Sequence, residues 1–171
     1  MSFEYDRLKQ TGEPGARKKT NNQWFETQDS ISYWDDFSKQ KIVWIELTDH
    51  PNFMLDTDGY FINNTIFFMT GKHLKYITAF LNSRICEWYF DKICATSGVG
   101  TRRWIKMYID LIRVPSINER EAFHIDEIVD KIHENKKMGK PTESNEELIN
   151  QFFYDAFSLT EEEISFIELV L

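Results

Sequence analysis

The stretch KIVWIELTDHPNFMLDTDGYFINNTIFFM, residues 41–69, decides the fold class. Residues 41–47 are a short apolar, β-branched run, which predicts a strand, central in its sheet. Residues 52–69 predict two or three further short strands. Asp58-Gly59 and Asn63-Asn64 fall between apolar runs, where tight turns need residues that tolerate positive φ. The pattern is that of a hairpin or β-meander.

Outward from this stretch the period changes. In 72–92, Leu74, Ile77, Leu81, Ile85 and Trp88 recur at three-to-four spacing, and Phe80 and Tyr89 widen the stripe, so one well-buried helix is expected. Residues 96–101 predict a glycine-bearing loop. Residues 104–114 fit helix or strand, and Pro115 ends that element. From 119 the pattern is helical: Ile125, Ile128, Val129 and Ile132 make one stripe, and Leu148, Ile149, Phe152, Phe153 and Phe157 another. A polar linker over 135–145 lies between them. Thr160 and Glu163 have the spacing of a capping box, which opens a last helix through Ile164 and Ile167. On the amino-terminal side, residues 11–22 are polar and glycine-bearing and predict a loop. The expected class is α+β: a twisted, mostly antiparallel sheet with a packed helix, then carboxy-terminal helices. The expected division is 1–117 for the sheet and helix, and 118–171 for an acidic helical region packing on it or on a partner domain.

A chain of 171 residues, 42% hydrophobic and 15% aromatic, has enough apolar material for a real core. It has no apolar run of about 18 residues, so no transmembrane helix is expected. The start, MSFEYDRLKQ, lacks an apolar signal core. Cys86 and Cys94 are not in a Cys-x-x-Cys pair, and two buried, reduced thiols fit a cytoplasmic protein. The formal net charge of −8 is unevenly spread. Residues 1–117 hold 15 Lys and Arg against 14 Asp and Glu, a net of +1, whereas 118–171 hold 5 against 14, a net of −9. An acidic total does not exclude nucleic-acid binding when basic groups share one face. The acidic tail either solvates its helices or faces a different partner; solvation is the simpler reading.

No catalytic pattern stands out. His50, His73, His124 and His133 lack metal-ligand spacing. Gly98-x-Gly100 lacks the third glycine of a dinucleotide fingerprint, and there is no Walker A pattern or nucleophile elbow. A base-flipping methyltransferase loop needs adjacent prolines, and Pro14, Pro51, Pro115 and Pro141 are all separate. Asp130, Glu134 and Lys136 carry the letters of a metal-dependent nuclease, but they sit at the end of a predicted helix. Catalysis, metal and cofactor are therefore not expected in this chain.

Binding remains. The segment GVGTRRWIK, 98–106, combines two glycines, Arg102, Arg103, Trp104 and Lys106. A second basic cluster is Arg17-Lys18-Lys19, followed by Asn21 and Asn22 beside Trp24 and Phe25. Arginine reads guanine bidentately, asparagine reads adenine, and lysine and arginine neutralise phosphate. The competing account is that these are solvated turns and that Trp24, Trp34, Trp44, Trp88 and Trp104 are mainly core.

The order of these pieces carries more information than any one of them. Residues 21–71, then LKYITAFLNSRICEWYF (74–90), a glycine-rich basic loop and LIRVP (111–115) resemble the TaqI-like C-terminal specificity domain. That is the target-recognition domain of adenine-specific DNA methyltransferases and type IIG restriction-modification enzymes. The resemblance is carried by Trp24-Phe25-Glu26, Lys41-Ile42-Val43, Phe53 with Asp56 and Gly59-Tyr60, and Leu81-Asn82-Ser83. The tail INQFFYDAFSLTEEEISFIE (149–168) resembles the family's closing helices, with Asn150 where Asp is usual. The resemblance implies sequence-specific reading of double-stranded DNA within a restriction-modification or phage-defence enzyme. It implies a separate amino-terminal methyltransferase domain that binds S-adenosylmethionine and flips out an adenine, in a parent enzyme of the methyltransferase or the methyltransferase-endonuclease kind. This chain would then be a carboxy-terminal part, catalytically silent alone. Arg17, Lys18, Lys19, Asn21, Asn22, Gly98, Gly100, Thr101, Arg102, Arg103 and Lys106 are the candidate DNA contacts, chosen by chemistry. Leu81-Asn82-Ser83 and the hairpin residues read as scaffold. The alternative is a protein-interaction module of such a complex that makes no DNA contact.

Overall fold

In the computed structural model, which describes residues 14, 16, 19–23, 32–95 and 101–171, the stretch 41–69 supplies a three-stranded antiparallel sheet. The strands among the described residues are β1 (Lys41–Ile45), β2 (Leu47–Thr48), β3 (Met54–Asp56), β4 (Ile66–Met69) and β5 (Arg102–Arg103). β1 is central, as its composition predicts. β3 pairs on one edge with Ile42 opposite Leu55, and β4 on the other with Ile42 opposite Met69. The order β3-β1-β4 corrects the meander expectation, because β4 does not continue from β3 but returns to the free edge of β1.

A turn built on Asp56 directs the chain away from β3. The Asp56 carboxylate accepts the amides of Asp58, Gly59 and Tyr60 at 2.8, 3.1 and 2.9 Å. Gly59 has φ 77°, which a residue without a Cβ adopts at no steric cost. The same carboxylate pairs with Lys41, whose side chain is wholly buried and donates a further bond to the Phe37 carbonyl at 2.7 Å. Alternation along β1 puts Lys41 and Val43 on one face and Ile42 and Trp44 on the other. Trp44 packs on Phe53 and Phe67 at ring separations of 5.5 and 5.7 Å.

The single helix expected over 72–92 is two, α1 (Leu74–Leu81) and α2 (Arg84–Ile93). The break lies at Asn82-Ser83. The Asn82 carboxamide accepts from the Phe53 amide at 3.0 Å and donates to the Phe53 carbonyl at 2.8 Å, tying the helix end to the chain entering β3. Ser83 turns extended, and its hydroxyl accepts from the Cys86 amide as the N-cap of α2. The stretch 104–114, ambiguous by sequence, holds only a short helix, α3 (Lys106–Ile109).

Three helices follow: α4 (Glu119–Lys137), α5 (Glu143–Ala156) and α6 (Glu161–Val170). The expected linker at 135–145 is shorter than predicted, because α4 runs on to Lys137 and α5 begins at Glu143. Both bonds of the Thr160–Glu163 capping box form, and Asn118 with Glu121 makes a second box at the start of α4. Phe153 of α5 meets Tyr76 and Phe80 of α1 at 5.5 and 5.0 Å. The core therefore runs continuously across residue 117. By compactness the chain divides into units Met1–Asp36 and Phe37–Leu171. Of the tryptophans, Trp44 and Trp104 are core and Trp88 packs against it, as the competing account has it, whereas Trp34 is largely exposed; Trp24 lies outside the described residues.

Candidate nucleic-acid interface

The site is built from one face of α2. Glu87, Phe90 and Asp91 stand three and four residues apart, so all three project to the same side. Opposite them runs a two-stranded ribbon in which Leu47 pairs with Arg103 and Thr48 with Arg102. Successive side chains of a strand point to opposite faces, so the two neighbouring arginines part company.

Arg102 turns inward. Its guanidinium is bidentate on Asp91, with Nε to one carboxylate oxygen and a terminal nitrogen to the other at 2.9 Å. Its remaining terminal nitrogen lies 3.0 Å from Glu87 Oε1, and the side chain is 13% exposed. His50 Nδ1 lies 2.7 Å from the same Glu87 oxygen. The Asp91 bond holds Arg102 protonated far above its ordinary range; burial opposes this and Glu87 reinforces it. Arg103 turns outward. It is 48% exposed and pairs with the partly exposed Glu46 at 2.6 Å. Lys106 is 80% exposed and pairs with Asp110 four residues on.

Trp104 fixes the next link. Its ring stacks on Phe90 at 3.7 Å with an interplanar angle of 4°, and it is 1% exposed. Its amide donates to the Glu46 carbonyl at 2.8 Å, and its carbonyl accepts from Trp44 Nε1 at 2.7 Å. Residues 102–104 are thus held by α2, β1 and the segment after it.

Of the candidate contacts, the structure brings together Thr101, Arg102, Arg103 and Lys106 on one segment. Lys19, Asn21 and Asn22 are exposed and belong to the other compact unit. Arg17, Lys18, Gly98 and Gly100 lie outside the described residues. Sequence reasoning missed Glu46, His50, Glu87 and Asp91. The Glu87–Asp91 spacing on a helix was the available signal, but nothing local pairs it with residue 102. The nuclease-like letters are dispersed into ion pairs: Asp130 with Lys75 at 2.6 Å and Lys136 with Glu146 at 3.2 Å. No helix among the described residues is long and apolar enough to cross a membrane.

Residues 5–114 match the family model of the TaqI-like C-terminal specificity domain. The chain belongs to that family. The matched range takes in β1 to β5, α1, α2 and α3, and so contains the whole ribbon and the α2 face that holds it. It stops before α4–α6. No curated protein matches the chain. Within the specificity domain, Asp56-Gly59-Tyr60 and Leu81-Asn82-Ser83 have visible structural work: the first caps β3, the second breaks the helix and ties it to Phe53. A C-terminal specificity domain is not itself the catalytic part of its enzyme.

Proposed function

We propose that this specificity domain reads a defined sequence in double-stranded DNA, as the recognition part of an adenine-specific methyltransferase or type IIG restriction-modification enzyme in the cytoplasm. The observation that carries the reading is the family match over residues 5–114, which includes the cationic ribbon. The geometry supports it. Arg103 and Lys106 sit at the surface, each in an ion pair exposed enough to exchange a carboxylate for a phosphate at small cost, about 0–1 kcal/mol. The charge division agrees: the part bearing the ribbon is near neutral, and the acidity is concentrated after residue 117. Catalysis belongs to a separate methyltransferase domain, where S-adenosylmethionine binds and the target adenine is flipped.

A second reading has one observation in its favour. Phe166, Leu169 and Val170 of α6 are exposed on an acidic helical region, which suits docking on a protein partner. A binding titration against mixed duplexes at two salt concentrations separates the two. DNA recognition predicts affinity that falls with salt and a loss of about 1–3 kcal/mol in Arg103→Ala if that arginine reads a guanine. Folded protein that retains no duplex at either salt concentration favours the interaction module.

A further inference from the structure

We infer that Arg102 is a positioning residue for DNA recognition and not a DNA contact: its clamp on Glu87 and Asp91 holds the strand that presents Arg103, so the segment meets DNA with two charges instead of three. This rests on the DNA-recognition reading above and specifies how that site is built.

Three observations carry it. First, the edge of the guanidinium that would read guanine O6 and N7 is already spent bidentately on Asp91, and the remaining nitrogen on Glu87. Second, withdrawing Arg102 would strand the buried Glu87 and the adjacent Asp91 without their principal countercharge, whereas withdrawing Arg103 frees only the partly exposed Glu46. Third, the clamp is one of several fasteners on the same three residues. The ribbon pairing holds Arg102 and Arg103, and the Phe90 stack holds Trp104. The backbone of Arg103 is thereby fixed on both sides while its side chain turns outward, half exposed, in its pair with Glu46. An arginine presented from a fixed strand loses less freedom on binding than one on a loose loop.

The test measures affinity against salt for the wild type and for Arg102→Ala, Arg102→Lys, Asp91→Asn, Arg103→Ala and Lys106→Ala. Amide hydrogen exchange at residues 102–104 is followed in parallel without DNA. Arg103→Ala and Lys106→Ala should each reduce the slope of log affinity against log salt by about one, with exchange unchanged. Arg102→Ala and Asp91→Asn should leave the slope unchanged, speed exchange at 102–104, and cut the preference for the selected site over a scrambled duplex by about tenfold. Preference is measured well below each variant's Tm, so a merely structural effect would lower Tm and leave preference intact. A slope reduced by about one in Arg102→Ala with exchange unchanged would overturn the inference and make Arg102 a contact. Should Arg102→Ala fail to fold, Arg102→Lys and Asp91→Asn carry the same comparison. If the wild type binds no duplex, the DNA reading fails, and unaltered exchange in the variants then sinks the clamp as well.

Discussion

At the scale of single residues, chemistry alone did not decide roles; placement did. Arg102 and Arg103 are adjacent and identical in kind, and a strand two residues long shows no apolar alternation from which to tell inside from outside. Their partners lie on a helix and a loop distant in sequence, so the inward turn of Arg102 was not legible. Lys41 and Asp56 make the same point. Register sets them opposite one another, and both are buried. Burial pushes the Asp56 carboxyl up, but the bonds from Lys41 and from the Asp58 and Tyr60 amides outweigh it and hold its pKa below the ordinary value. A carboxyl with a lowered folded-state pKa stabilises the fold above its unfolded value and loses that contribution as pH falls through the folded one. Asp56→Ala should therefore cost about 3–5 kcal/mol at neutral pH, because it strands a buried lysine and three amides. It should also flatten the acid limb of stability, which denaturation at pH 7 and pH 3 would show. Lys41→Met should cost less, since the carboxylate keeps its amide donors.

At the scale of elements, local signals held and long-range ones did not. The Thr160 capping box was legible because both partners lie within one turn. The break at Asn82-Ser83 was hidden because the apolar stripe continues through it from Leu81 to Ile85. What breaks the helix is the Asn82 carboxamide engaging Phe53, a contact 29 residues away. Ser83→Ala should remove the N-cap of α2 and cost about 1 kcal/mol in chemical denaturation. Asn82→Ala should cost as much or more, and its effect should be seen first as faster amide exchange at Phe53. Asn150 also acts on α2: its side-chain oxygen accepts the Arg84 amide at 3.0 Å. An aspartate at this position would keep that bond and add a charge suited to a helix N-terminus. Asn150 is buried, so the gain at the helix N-terminus is offset by desolvation of the carboxylate, and Asn150→Asp should leave the denaturation midpoint at neutral pH little changed.

At the scale of the whole molecule, the α+β class and the carboxy-terminal helices were legible, because short apolar runs broken by turn residues in 41–69 and three-to-four spacing in 119–168 are written plainly. Which of the two expected surfaces the acidic region packs on was not, because composition and charge change at residue 117 while packing does not. Tyr76 and Phe80 of α1 are covered by Phe153 of α5. Truncation after residue 117 should therefore expose α1 and α2 and prevent cooperative unfolding, as followed by calorimetry. This places the acidic helices as structural support for the recognition part, whatever else they face. The central claim is that this support and the α2 clamp serve to hold a cationic ribbon against a DNA site. The most direct measurement is sequencing of the duplexes that the folded domain retains from a random pool. The account predicts one enriched site, lost when Arg103 and Lys106 are both alanine. A retained population as random as the input, or no retained DNA at all, would contradict it.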